Sequence, residues 1–316
     1  MKKLILLITM LTLFTACEKQ ISITEFSEFY ENYEPELRVE AFLDASTPMS
    51  SLVMVDRSIR IDDTEIFSDI DEEATWQDSI ERISRQLADS TALVSIKNLK
   101  TGDIIPFLWV CSADSFQYSF WKDKTSILPD SFVTHHYGGF KPAVPFQVDL
   151  NSEYELSVIS TAYGKTITAR TRPVPPVQLL NLDFTQHTGD TLYYTFGEEN
   201  TLYWLSDTSA TSYYITLYGY IPDGRVLINS NSGFSLETDD INYPGYTLGF
   251  TFFPPFLTEG RYEFTIRALN ADLSRYYVSS LPVNNSKVSN LRDQNGNPVM
   301  GIFGSYSSVE KVLIIR

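Results

Sequence analysis

The chain has 316 residues, enough for two domains of ordinary size. Forty Asp and Glu stand against twenty-four Lys and Arg, a formal net charge of −16. A surface this acidic repels phosphate backbones and anionic headgroups, which argues against nucleic acid as a partner.

Lys2 and Lys3 precede an uncharged run from Leu4 to Cys17. Its apolar core, about eleven residues long, falls short of the roughly 20 that a spanning helix needs, so residues 1–16 read as a signal peptide. Ala16, a small residue, stands before Cys17, with Thr15 before it. These residues resemble the lipobox of bacterial lipoproteins, which ends in a small residue and the acylated cysteine. The usual Leu three places before the cysteine is Phe14 here, with Leu13 one place further back. The alternative is an ordinary secretory signal with a coincidental cysteine. On the lipobox reading Cys17 is the lipidation site, labelled by palmitate, and holds the protein to a membrane. One acyl chain anchors only marginally, and bacterial lipoproteins carry three. Residues 17–36 then form a polar tether without the apolar mass for a core. Glu18 rather than Asp follows the cysteine, which in the enterobacterial sorting scheme favours the outer membrane.

The aromatic content is high, with 19 Tyr and 20 Phe, and alongside many Thr, Val and Ile it favours strands over helices. Leu37-Arg38-Val39-Glu40-Ala41-Phe42-Leu43 alternates like a half-buried strand, and Ser51 to Ile61 is a second candidate. Residues 62–73 hold seven acids in twelve. Without a Gly or a clean alternation of ligands, the run reads as a solvated loop rather than a calcium site. Trp76, Ile80, Ile83 and Leu87 fall at helical spacing, which predicts a short amphipathic helix over 76–89, inserted in a strand protein. A hairpin follows, Ala92–Ile96 and Ile104–Val110 around a Gly-containing turn, then a short strand over Phe116–Trp121. With Cys17 acylated, Cys111 is the one free thiol and no internal disulfide forms. After Phe107-Leu108-Trp109-Val110 it reads as a small buried residue; a catalytic thiol needs a positioned His, and none is close in sequence. Pro129–Pro145 reads as a long loop containing His135 and His136. Adjacent histidines in an extended loop point in different directions, and His187 lies in another segment, so no metal site is expected. Asn151–Val158 and Thr166–Ala169 form a hairpin that closes the first domain. Tyr154 stands where a tyrosine corner of an immunoglobulin-like sandwich belongs.

Arg172-Pro173-Val174-Pro175-Pro176-Val177 is the clearest boundary, because three prolines in four residues give a stiff extended connector. Strand patterns restart at Leu192–Phe196, Thr201–Trp204 and Ser212–Tyr220. The stretches Leu202–Asp207 and Ser212–Leu217 resemble fibronectin type III domains, which place a Trp on an early strand. Gly260–Asn270 resembles their tyrosine-corner strand. Residues 272–280 look helical, and Gly301 to Arg316 adds a last strand after the turn Asp293-Gln294-Asn295-Gly296. The expected fold is therefore mainly β: two immunoglobulin/fibronectin-like sandwiches in tandem, with a short inserted helix in the first and a short helix near the C-terminus. Residues 37–172 form domain 1, 173–177 the Pro-rich linker and 178–316 the fibronectin type III-like domain 2.

The lipobox, the first strand, the Pro-rich link and the closing Ser289-Asn290 and Gly301-Ile302-Phe303-Gly304 together resemble a family of Bacteroidota outer-membrane lipoproteins of unknown function. The resemblance implies a family often encoded near TonB-dependent transporters, and it carries over no catalytic residue. Nucleophile elbow, His-Glu-x-x-His pair and phosphate loop are all missing from the sequence, so no enzyme and no cofactor is expected. A glycosidase, whose carboxylate pair assembles only in the fold, stays open at this point. The expected function is a non-catalytic binding or accessory module, with a transporter or a glycan or peptide as partner. Tyr243, Tyr246, Phe252 and Phe253 are candidate contact aromatics, and core packing is their competing role. The alternative function is a structural or adhesive cell-surface lipoprotein. The anchor makes a direct prediction: Cys17→Ser should move the protein from the membrane to the soluble fraction and abolish palmitate labelling in fractionated cells.

Overall fold

A computed structural model of the chain describes residues 35–58, 87–120, 131–180, 186–195, 200–221, 224–235, 247–252, 259–278 and 288–316. Strand exceeds helix by 59% to 7%, so the chain is mainly β, as its composition demands. The strands run β1 Leu37–Asp44, β2 Leu52–Arg57, β3 Leu93–Asn98, β4 Ile104–Phe120, β5 Ser131–Pro142, β6 Tyr154–Ser160 and β7 Lys165–Thr171. After the proline segment come β8 Gln178–Leu179, β9 Gln186–Thr188, β10 Thr191–Tyr194, β11 Asn200–Leu205, β12 Ser212–Ile221, β13 Gly224–Ser235, β14 Thr247–Phe252 and β15 Gly260–Leu269. Helix α1 Ala271–Val278, β16 Arg292–Asp293 and β17 Met300–Ile315 close the chain.

Fourteen strands join one large curled sheet whose main path is β13-β12-β15-β17-β1-β2-β5-β4-β3-β6-β7-β16, while β14-β11-β8 form a separate small sheet. Its central member is β17. The first half of β17 pairs in parallel with β1, from Arg38 opposite Met300 to Asp44 opposite Tyr306. Its second half pairs with β15 antiparallel and with β10 in parallel. Strands about 260 residues apart in sequence therefore lie side by side, which no local turn can arrange. Val39 faces Gly301 in that register. Gly301 has φ +106°, and a Cβ there would fall 1.8 Å from the Val39 carbonyl oxygen. Only glycine fits.

Among the described residues, two large apolar cores lie along β17, with a smaller cluster of Leu269, Leu273 and Ile302 beneath α1. The first gathers Leu37, Val39, Ala41, Leu43, Ile96, Phe140, Tyr154 and Ile167 with Leu291, Val299 and Phe303. The second gathers Val174, Val177, Leu192, Trp204, Tyr213, Ile215, Phe264, Ile266, Leu313 and Ile315. Between Phe303 and Leu313, β17 turns to buried serines. Ser305 Oγ donates to the Leu43 carbonyl at 3.0 Å, and Ser307 Oγ donates to the Pro175 carbonyl at 2.6 Å. The proline segment thus crosses β17 where β17 has small side chains, and its own Val174 is buried.

Each core also carries a tyrosine that reaches back to a loop. The buried Tyr154 hydroxyl accepts the Asp149 N–H at 2.7 Å and an Asn98 amide N–H at 3.3 Å, the corner expected from its position. Tyr213 does the same with the Asp207 N–H at 3.0 Å. The strand that resembles a fibronectin corner strand, Gly260–Asn270, is β15, while Tyr213 stands on β12.

Two expectations are corrected. Residues 131–142 are strand β5, paired along β4, and not a loop. Gly138 clears space within this strand: a Cβ there would fall 2.3 Å from the Trp109 ring, which packs edge-on to Phe140 at 5.3 Å. Cys111 is exposed and not buried. The β4–β5 register shifts between Val110 and Asp114, so Cys111 lies in an irregular segment where alternation no longer sends it inward. The same strand β4 runs on through Phe120, which absorbs the separate strand read at Phe116–Trp121. The helix expected near the C-terminus is α1. The acidic run 62–73 and almost all of the helix expected over 76–89 lie outside the described residues.

Gly301→Ala should abolish cooperative folding or cost about 4 kcal/mol or more in urea unfolding, because backbone rather than a movable side chain occupies the space. Gly102→Ala is the matched comparison. Its φ is +83° with nothing within 4 Å, so the cost should stay near 1–2 kcal/mol.

Candidate functional site

Alternation along β1 sends Leu37, Val39, Ala41 and Leu43 into the first core and leaves Arg38, Glu40 and Phe42 on the opposite face. Register continues that face through Asp56 and Met54 on β2, and Met300, Ile302 and Gly304 on β17. Helix α1 is mounted on it. Asn270 caps the helix: its side-chain oxygen accepts the Leu273 N–H at 3.1 Å and its carbonyl accepts the Ser274 N–H at 2.8 Å. The Asn270 N–H donates to the Ser305 carbonyl, and its amide nitrogen donates to Thr171 Oγ1 at 2.7 Å and to the Arg172 carbonyl. One side chain thus fixes the helix start to β17 and to the end of β7. Leu273 then sits over Gly304, where a Cβ would fall 2.4 Å from its Cγ.

The last turn of α1 presents Tyr276 and Tyr277. The Tyr276 hydroxyl donates to Glu40 Oε1. Arg38 lies 3.5 Å from the same oxygen and grips Asp56 through two hydrogen bonds, with Nε to Oδ1 at 2.7 Å. That bidentate bond, ahead of the nearby carboxylate charges, raises the Arg38 pKa and keeps the guanidinium charged. Tyr277 stacks on Tyr214 of β12, with rings 6.0 Å apart and 19° from parallel, and meets Tyr276 edge-on at 5.8 Å. It remains 50% exposed. Tyr137 bonds Asp114, and Tyr306 bonds Asp44.

Glu40 is the electrostatic hub of this face, since its charge reaches Arg38, Tyr137, Tyr276 and Tyr277. Burial first, and then a partner carboxylate, pushes the phenols of Tyr137, Tyr276 and Tyr306 above the ordinary tyrosine range. Such phenols stay protonated and act as donors at neutral pH. The face thus sets a flat, half-exposed ring on a rigid mount, with carboxylates and a guanidinium beside it.

The expected site residues fall elsewhere. Cys17, Tyr243, Tyr246 and Phe253 lie outside the described residues, and Phe252 ends β14. His135 and His136 are strand residues opposite Phe116 and Ser115, and His187 pairs with Leu192. Among the described residues no group of three His, Cys, Asp or Glu is placed to hold a metal ion. The α1 mount was missed in the sequence, although Asn270-Ala271-Asp272-Leu273 is a recognisable helix start and Glu40 a charge in an apolar strand. No protein-family model matches the chain, and no curated protein matches it.

A pH dependence follows. Above about pH 10 the unfolded chain releases phenolic protons that the native chain retains. The native state then binds more protons, so the unfolding free energy falls as pH rises. The urea midpoint should be lower at about pH 11 than at about pH 8, with tyrosinate absorbance appearing together with unfolding. Tyr276→Phe should cost about 1–2 kcal/mol at neutral pH through the lost bond to Glu40, and should narrow that pH gap.

Proposed function

We propose that the protein is a non-catalytic lipoprotein of the outer membrane, held through lipidated Cys17, that serves as a binding or accessory module beside a TonB-dependent nutrient transporter. The observation that carries this reading is the run from Lys2 to Cys17, with its basic start, short apolar core and terminal small residue and cysteine. The rigidly mounted Tyr277–Tyr214 pair supports a binding role. So does the resemblance to Bacteroidota outer-membrane lipoproteins. We read the body as two tandem immunoglobulin/fibronectin-like sandwiches, residues 37–172 and 178–316, joined by 173–177. Two separate cores, each with its own tyrosine corner, support that division.

The parallel pairing of β1 with β17 favours a second reading, as an adhesive or structural surface protein. A pull on the tether enters at β1 and loads that ladder along its length, where its hydrogen bonds act together. Affinity purification from native membranes separates the two. Recovery of a transporter in stoichiometric amount is expected. Recovery of the protein alone, with binding to whole cells or matrix, would favour adhesion.

A further inference from the structure

The outward face of β6, β3 and β4 carries large aliphatic side chains in water. Leu93 is 65% exposed, Ile104 64%, Leu108 61%, Val110 40% and Ile159 39%. Register makes them neighbours. Leu93 lies opposite Ile159, and Val94 lies opposite Phe107, which sets Leu108 beside Leu93. Ile159, Leu93 and Leu108 thus form a row across three strands, with Val110 and Ile104 further along β4. The inward neighbours Val94, Ile96, Ile105, Phe107 and Val158 already fill the first core, so no slip of register explains the row. An antiparallel sheet facing water is ordinarily polar on that side, and contiguous exposed apolar surface marks a contact site.

Charge identifies the contact. The charged residues at described outward positions of β3 to β7 and β16 are four cations, Lys97, Lys141, Arg170 and Arg292, and two acids, Glu155, which pairs with Arg170 at 2.9 Å, and Asp114, which bonds Tyr137 beyond the register shift on β4. Lys141 Nζ donates to the Ser50 carbonyl, and Arg292 donates to the Ser289 and Leu291 carbonyls, neutral acceptors in each case. On a chain of net charge −16, this face combines aliphatic groups with more cations than acids at its described positions. A second acidic copy is repelled, whereas phospholipid offers phosphates to the cations and an acyl boundary to the aliphatics.

We infer that the β6–β3–β4 face seats on the phospholipid headgroup surface, so that the body lies on the membrane instead of standing off it. This rests on the lipoprotein reading. Residues 17–36, at ~3.3–3.6 Å each, reach roughly 70 Å when extended, so the tether permits contact. Tethering also raises the effective concentration at the surface to about the millimolar range, which makes a weak surface affinity sufficient.

The test uses the acylated full-length protein in vesicles of phosphatidylethanolamine and phosphatidylglycerol. In a Cys111→Ser background, a polarity-sensitive dye is placed at Leu93→Cys, Leu108→Cys or, as the distant comparison, the exposed turn residue Thr208→Cys. Spin-labelled lipid should quench the dyes at 93 and 108 and spare the dye at 208. Lys97→Glu with Lys141→Glu should cut the quenching by about twofold or more while the far-ultraviolet spectrum is unchanged. If the protein floats with the vesicles but the dyes at 93 and 108 behave like that at 208, the face does not seat and the anchor reading stands. If those dyes are shielded only when a membrane protein partner is added, the face belongs to a protein contact and the inference is overturned. Failure to float at all overturns both.

Discussion

Everything in the described fold depends on the parallel pairing of β1 with β17. The two strands lie about 260 residues apart in sequence, so the ladder forms only after the residues between them have been made and the strands brought together. Gly301 is the visible cost of this arrangement. Its backbone approaches Val39 so closely that no side chain is tolerated. Small residues recur further along β17, at Gly304 under Leu273, at Ser305 against the Leu43 carbonyl and at Ser307 beneath the proline segment. The strand is built thin where other elements must cross it and apolar where it feeds a core.

The two faces of the sheet at this junction do different work. On one side, β17 supplies Phe303 to the first core and Leu313 and Ile315 to the second. On the other, a helix of eight residues is held against the sheet. A helix that short is marginal alone and is held here by Asn270, Leu273 and Tyr276. Its fixed position lets Tyr277 stay half exposed while stacked on Tyr214. Further along that outward side, the charged face under α1 gives way to the aliphatic row on β3, β4 and β6.

Much of this architecture was legible locally. Alternation revealed β1, the β3–β4 and β6–β7 hairpins, β12 and β15, because period-two burial leaves its mark within six to eight residues. Tyr154 was legible as a corner because an aromatic opening a late strand has few other uses. Strand β5 was not, since Gly138 and Gly139 weaken its strand pattern, while in the fold Gly138 admits the Trp109 ring and Gly139 the Leu52 side chain. Cys111 was misread because a register shift cancels alternation at that point and leaves no trace in residue type. The β1–β17 pairing was illegible for a different reason: parallel register over such a separation depends on the whole fold. Glu40 and Tyr276, 236 residues apart, are invisible as partners for the same reason.

Hydrogen exchange of the native protein tests the β1–β17 constraint most directly. If this ladder unites the described body, the amides of residues 39–43 and 301–306 exchange as slowly as the slowest amides of either core. All of them then respond to denaturant with one common slope. Early exchange of β1, with β12 and β15 still protected, would contradict the account and show two cores that open independently.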